Sequence, residues 1–268
     1  IQVGHVEAGL RTYNRYEPFP EEMNRKLTGS LANLHFSPTP LAKQNLLKEN
    51  VEEAAIFVTG NTVIDALKTT VEKDYVFTVD ALNDINYAGN RVITMTAHRR
   101  ENLGEPLRNI CEAVRQIVLE HQDVEVVYAV HKNPAVREVA EEILGNVPRV
   151  HLVEPLDIKD MHTLTRRSYL VLTASGGLQE EAPSLGAPVL VVRRATERTE
   201  AVEAGTVKIV GISEDDIFAE ASRLLDDATE YAKMARSINP YGDGHASERI
   251  ADAIIAYFKE VWGSSNEK

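Results

Sequence analysis

Three stretches of the chain bring together residue types able to bind or move charge. In "YLVLTASGGLQEEAPSLG" an apolar run ends near Thr173 and is followed by Ser175, Gly176 and Gly177. Small residues there let the backbone approach a ligand, and the N–H groups that open the next helix attract anions. The pattern suits a diphosphate, yet Glu180 and Glu181 follow at once. With a turn over Ser175 to Gly177 and a helix from about Leu178, both acids fall in its first turn, where the macrodipole favours carboxylates with no ligand present. That accounts for one of them. The second can accept hydrogen bonds from a ribose diol, as acids near dinucleotide-binding turns do, and the expected ligand is a nucleotide.

The second stretch, "TMTAHRRENLGEPL", places His98, Arg99, Arg100 and Glu101 after an apolar run. Two Arg and one His in a single loop can grip phosphate by charge-assisted hydrogen bonds. The alternative is a solvated loop whose Glu101 or Asn102 caps the next helix. "VHKNPAVRE" repeats the design with His131 and Lys132 ahead of Pro134. The third stretch, "GHVEAGLRTYNRYEPFPEEMNRKL", holds Glu7, Arg11, Arg15, Glu17, Glu21, Glu22 and Arg25. Glu7 leaves a strand end, and Glu21 lies in the first turn of a helix whose first position is read as Pro20. Two carboxylates from different elements, converging near a bound sugar, can remove and return a proton. The competing account is favourable helix-start charge for Glu21 and Glu22 and surface pairing for Arg11 and Arg25.

These residues need elements to hold them. From residue 91 on, β-rich runs ("RVITMTA", "VEVVYAV", "RVHLV", "YLVLT", "PVLVV", "TVKIV") alternate with helical patterns. Continuous apolar strands alternating with helices predict a parallel sheet covered on both faces, a complete doubly wound domain. Before residue 74 the same grammar is shorter, with strands at "IQVGHVE", "LHFSP" and "AIFVTG" and helices at "PEEMNRKLTGSLA", "PLAKQNLLKEN" and "TVIDALKTTVEK". Three strands form half a doubly wound sheet with an open edge, and the first begins at residue 1, so the sequence reads as cut at its N-terminus. "KDYVFTVDALNDINYAGN" is polar and irregular and suits a connector. "ASERIADAIIAYFKEVW" reads as an amphipathic helix with apolar positions at Ile250, Ala253, Ile254 and Tyr257 or Phe258.

Bulk properties bound the reading. With 268 residues, a net charge of -12 and one cysteine, the chain suits neither DNA, RNA nor an anionic membrane as a general partner. Cys111 lies among apolar neighbours and reads as a packed helix residue. No apolar run approaches the roughly 18 residues of a membrane span, and the start lacks signal-peptide regions; a cytosolic location is expected. Eight histidines include no HExxH, and no GxSxG elbow or GxGxxG fingerprint occurs.

Taken together, "GHVEAGLRT", "PFPEEMNR", "TGNTVIDAL", "TAHRREN", "VHKNP", "SGGLQEEAPSLGAPVLV" and "NPYGDGHASERI" closely resemble the non-hydrolysing UDP-N-acetylglucosamine 2-epimerases, in order and over nearly the whole chain. The resemblance implies an α/β chain of two Rossmann-like domains in the GT-B arrangement, the first incomplete, covering 1–66 joined by a C-terminal helix at 245–268, with a UDP-binding domain at 67–244. It implies interconversion of UDP-N-acetylglucosamine and UDP-N-acetylmannosamine at C2, by elimination of UDP to 2-acetamidoglucal and re-addition. No nicotinamide, metal or other cofactor is implied, and a homodimer is. Glu7 and Glu21 become the acid and base candidates, and His98 a catalytic residue contacting the diphosphate. Ser175, Gly176 and Gly177 become the phosphate grip, Arg99 a further UDP contact, and Glu181 the ribose ligand. Glu21, Arg99 and His131 match positions that help bind an additional UDP-N-acetylglucosamine as activator. The chain departs from the family at Ala174 and Arg194, where members usually carry Asp, and at Thr199, where they usually carry Pro. A hydrolysing epimerase releasing N-acetylmannosamine and UDP, a GT-B glycosyltransferase, and a silent UDP-sugar-binding fragment are the alternatives.

Overall fold

The structure, a computed structural model, describes residues 1–16 and 19–263, with side chains described up to residue 259. Glu17 and the stretch beyond residue 263, both included in the expectations above, lie outside the described residues. The chain divides into two compact units, residues 1–68 with 240–268, and residues 69–239.

The first unit opens with β1 (Gly4–Val6), α1 (Glu21–Leu31), β2 (Leu34–Ser37), α2 (Pro40–Lys48), β3 (Ile56–Val58) and α3 (Thr62–Thr70), whose last two residues, Thr69 and Thr70, belong to the second unit. Its sheet has the order β1-β2-β3, all parallel. α1 begins one residue later than expected, because Pro20 occupies the capping position and Glu21 the first helical one. α2 starts where Thr39 caps the backbone N–H of Ala42 and Pro40 supplies a preset φ.

The second unit runs through α4 (Asp80–Asn83), β4 (Arg91–Thr96), α5 (Glu105–Glu120), β5 (Val124–Ala129), α6 (Pro134–Leu144), β6 (Val150–Val153) and α7 (Ile158–Arg167). It continues with β7 (Leu170–Thr173), α8 (Gly176–Ser184), β8 (Val189–Val191), α9 (Thr199–Glu203), β9 (Val207–Ile209), α10 (Glu214–Asp226) and α11 (Ala228–Ala235). Apolar residues at positions 0, 3, 4 and 7 of the helical repeat give α5 its buried face, where Leu107, Ile110, Cys111, Val114, Ile117 and Val118 all lie. Burial also pushes the Cys111 thiol up to about 12, which leaves it a packing residue without nucleophilic character.

All six strands are parallel, in the order β6-β5-β4-β7-β8-β9. The chain winds outward from β4 in one direction, then crosses to β7 and winds outward in the other, so the order reverses between β4 and β7. Their register pairs Thr96 with Thr173, and the two hydroxyls lie 2.6 Å apart. The carboxyl ends of the two central strands are therefore level, at the switch point where open α/β sheets bind ligands.

Residues 73–90 differ from the expected connector. Phe77, Leu82 and Ile85 are buried against Val92, Val127 and Leu164, Asn83 bonds both backbone groups of Phe77, and Asp160 accepts the Thr78 N–H at 3.0 Å. Apart from the single turn of α4, the apolar residues of this segment follow no sustained period, and local bonds such as Asn83–Phe77 act together with tertiary packing to order it.

The chain then returns to the first unit as α12 (Ala246–Gly263). Ile250 and Ala253 are buried with Leu34 and Phe36 of β2, and Ile254 and Tyr257 pack alongside. The return is anchored where Gly60 and Gly242 meet backbone to backbone: a Cβ on Gly242 would lie 3.2 Å from the Gly60 Cα. Both have positive φ, so neither position suits a side chain.

Candidate functional site

α8 begins at Gly176, with Ser175 as its cap, two residues earlier than the sequence suggested. The glycines are thus the first helical residues, and Glu180 and Glu181 lie beyond the first turn, where the macrodipole no longer accounts for either. The structure supplies a different account. Glu180 is 1% exposed and accepts a 2.8 Å hydrogen bond from Nε of Arg198. Arg198 also pairs with Glu197, which lies 3.3 Å from Arg193, and Arg193 reaches Glu101 at 2.7 Å. A buried charge network therefore stands behind the helix. Gly176 is part of it, because a Cβ there would come within 2.8 Å of the Arg198 guanidinium carbon.

Glu181 turns the other way. Its carboxylate lines a cavity of about 370 Å³ together with Thr96, His98, Met161, His162, Ser175 and Gly177. Gly177 makes room for it, since a Cβ there would meet Glu181 Oε1 at 3.2 Å. Ser175 makes no side-chain capping bond, and the first-turn N–H groups of any helix lack intrahelical partners, so this helix start presents donors to the cavity. Gln179 is buried and fastens the turn by donating to the Ser175 carbonyl at 3.0 Å and accepting from Thr196 at 2.6 Å.

The loop after β4 is pinned on both sides of His98. The buried hydroxyl of Tyr128 donates to the Ala97 carbonyl at 2.9 Å, and Asn102 donates to the Val192 carbonyl at 2.8 Å. Asn102 and Glu101 therefore tie the loop down through β8's exit and Arg193 and do not cap α5, whose cap is Gly104. His98 stacks on His131, ring centroids 5.0 Å apart and planes 16° from parallel. The His98 ring keeps an exposed edge, yet its pKa is held below the ordinary imidazole range, first by partial burial and then by the neighbouring His131 and Arg99. A ring whose pKa is held down beside the Arg99 cation is ready to gain a proton when an anion arrives.

In the first unit, Glu7 directly follows β1 with φ at +61°, a left-handed conformation that costs a non-glycine residue about 1 kcal/mol or more and marks functional positions. Its carboxylate is held by Asn61 Nδ2 at 2.8 Å. Glu22 is fully buried and accepts the backbone N–H groups of Thr12 and Tyr13, so it staples the loop after Glu7. Arg11 is also buried, in a two-pronged pair with Glu49 at 2.9 and 2.8 Å, so the competing account of surface pairing does not hold for it. Glu21 is half-buried in the first turn of α1. His5, beside Glu7, has its pKa lowered to about 4, chiefly by burial and then by His35 and Arg11.

Of the residues expected in the site, the second unit brings His98, Ser175, Gly177 and Glu181 to one cavity, with His131 stacked behind His98; Glu7 and Glu21 belong to the first unit. The supporting residues Asn61, Tyr128, His162, Arg193, Glu197 and Arg198 were not anticipated. The only signal for Arg198 was the acid Glu180, the fifth residue of α8, on the helix's buried side. Ala174 is fully buried in the apolar core, Arg194 is exposed, and Thr199 is the first residue of α9, the helical position at which proline is also accommodated. Among the described residues, no group of three or more His, Cys, Asp or Glu is placed to hold a metal ion, and no helix is long and apolar enough to cross a membrane.

A three-stranded parallel sheet in one unit and a doubly wound six-stranded parallel sheet in the other, with a helix start at its switch point, define an α/β protein of the GT-B-like class. The family model described as UDP-N-acetylglucosamine 2-epimerase matches residues 1–255. The UDP-N-acetylglucosamine 2-epimerase of Bacillus subtilis is 56% identical over 258 residues, covering 96% of this chain and 67% of that protein. Among solved structures, the S. aureus MnaA-UDP co-structure is 50% identical with a TM-score of 0.92, covering 97% of this chain and 70% of that one. The UDP-GlcNAc 2-epimerase from Neisseria meningitidis, bound to UDP-GlcNAc, is 45% identical with a TM-score of 0.90, covering 96% and 70%. The chain belongs to the UDP-N-acetylglucosamine 2-epimerase family, a family of isomerases.

Proposed function

We propose that the chain interconverts UDP-N-acetylglucosamine and UDP-N-acetylmannosamine at the sugar C2 without net hydrolysis. The observation that carries this reading is the single cavity shared by His98, the start of α8 and Glu181, which offers a diphosphate donors at one end and a ribose diol an acceptor at the other. Solved relatives are described with UDP and with UDP-GlcNAc bound.

The chemistry follows from the substrate. A carboxylate removes the C2 proton while the C1–O bond to UDP breaks, leaving 2-acetamidoglucal and UDP. A second acid then returns a proton to the opposite face of C2, and UDP adds back at C1. The C2–H is only weakly acidic, so departure of UDP must be stabilised at the same moment by aimed N–H groups and positive charge. Ser175, Gly176 and Gly177 at the helix start and the His98–Arg99 loop supply that stabilisation, and Glu181 holds the ribose. Glu7 and Glu21 are the two proton-transfer groups, Glu7 being strained and oriented by Asn61. Arg99 and His131, with Glu21, hold a second UDP-N-acetylglucosamine as activator, and the working form is a homodimer. The buried Ala174, standing where the family resemblance sets an Asp, favours one second reading, UDP-sugar binding without turnover.

Proton NMR of UDP-N-acetylglucosamine with the chain in heavy water separates these. Deuterium at C2 with appearance of the manno epimer is the expected result. Free N-acetylmannosamine with stoichiometric UDP would instead mean a hydrolysing enzyme, and UDP binding without exchange would mean the silent reading. Glu7→Gln should cut the exchange rate by about 10² or more while leaving UDP affinity intact; normal exchange in that variant removes Glu7 from the mechanism.

A further inference from the structure

His162 belongs to none of the motifs that point to catalysis, yet it is 2% exposed and lines the cavity beside α8. Its Nε2 lies 3.2 Å from Oε2 of Glu181, and its Nδ1 lies 2.7 Å from Oγ1 of Thr70. The Nε2–carboxylate approach is an ion-pair contact, best served by a proton on Nε2, while Nδ1 pairs with the Thr70 hydroxyl with the donor set by the tautomer. Both ring nitrogens are thereby engaged and the ring cannot rotate without losing a partner. The other side of the Glu181 carboxylate is bounded by Gly177, where a Cβ would intrude at 3.2 Å.

We propose that His162 is a positioning residue for nucleotide recognition, holding one oxygen of Glu181 so that the other faces the ribose diol, with Thr70 orienting the ring. The inference rests on the ribose role given to Glu181 above. A free glutamate has three side-chain torsions to order when a ligand arrives, and a carboxylate already fixed by an outer partner spares that ordering entropy. The same logic orients metal-ligating side chains through their outer partners. The specificity consequence is that His162 matters for ligands carrying the diol and is indifferent to those without it.

The test is calorimetric binding of UDP and of 2′,3′-dideoxy-UDP to the wild-type chain and to His162→Phe, His162→Gln and Thr70→Val. Wild type should prefer UDP by roughly tenfold or more, the weight of a charge-assisted hydrogen-bonded diol. His162→Phe should lose most of that preference while binding dideoxy-UDP as wild type does, a split that general loosening of the fold would not produce. His162→Gln, which keeps a donor toward Glu181, should retain part of the preference. Should His162→Phe fail to fold, Thr70→Val, nearly isosteric, probes the same axis and should show a partial loss. Full retention of the preference in every foldable variant overturns the positioning role alone. A wild type that does not distinguish the two ligands, or a Glu181→Gln variant that still does, overturns the ribose reading of Glu181 and this inference with it.

Discussion

Glu180 and Glu181 are chemically identical neighbours on one helix, and the two sides of α8 treat them oppositely. Glu180 is locked into a network with Arg198, Glu197 and Arg193 behind the helix, and Gly176 leaves the space for that guanidinium. Glu181 faces the cavity, with Gly177 leaving the space for its carboxylate. Each glycine of the pair thus serves one of the two acids. Successive helical residues point about 100° apart, so an adjacent pair naturally divides between a structural side and a ligand side. A residue type acquires its role from the partner it meets.

The comparison breaks most easily on the buried side. Glu180→Ala leaves the Arg198 cation buried with half its compensation and should cost about 3–5 kcal/mol of stability by urea denaturation. A change under about 1 kcal/mol would mean that Glu180 is not structural. On the open side, Glu181→Ala deprives His162 of a partner only at the cavity wall, so it should destabilise the fold less than Glu180→Ala, and it should weaken UDP binding by about 1–3 kcal/mol, read by calorimetry. If the two variants exchanged phenotypes, the assignment of the two faces would be reversed.

A third effect comes from His98. Its depressed pKa keeps the ring neutral in the free protein, whereas a bound diphosphate favours the imidazolium. Binding then takes up a proton, so UDP affinity should strengthen as pH falls through the bound-state value toward the lower free-state one. The gain is about tenfold for each unit by which the ligand raises the pKa. Protonation of UDP itself opposes this, and His98→Asn provides the baseline to subtract; identical pH profiles would remove His98 from the phosphate site. The same depression has a stability consequence of opposite sense: the unfolded chain takes the proton more readily, so the unliganded protein loses stability as pH falls below the ordinary imidazole range. The smallest effect belongs to Arg137→Ala. Its pair with Glu154 at 2.6 Å has the same chemistry as Arg198 with Glu180, but both side chains are exposed, and denaturation should show no resolvable change.

Much of the architecture was legible because it is written locally. Every strand of the second unit fell on an apolar run, and α5 and α6 on the helical patterns between them, since both periodicities are set by backbone geometry. Strand ends were legible for the same reason, and with them His98, Ser175 and Glu181. The packed segment 73–90 was not, because Phe77, Leu82 and Ile85 are spaced to fit a surface formed by β4, β5 and α7 and follow no period of their own. Surface pairing for Arg11 and helix-start charge for Glu22 were the competing accounts, and neither describes the buried residues found, because their compensating partners lie 38 residues away in one case and in backbone N–H groups in the other.

The sequence by itself determined that the chain forms parallel α/β units, that a small-residue turn and two basic loops stand at strand ends, and that these belong to a UDP-N-acetylglucosamine 2-epimerase. Those features depend on neighbours within a turn or two along the chain. Only the tertiary structure decided which acid is buried and which faces the cavity, that Arg198 and His162 are their partners, and that β4 and β7 bring His98 and Ser175 to one cavity. Those choices depend on groups that are distant in sequence, and electrostatic compensation in a low-dielectric interior acts through space without regard to chain separation.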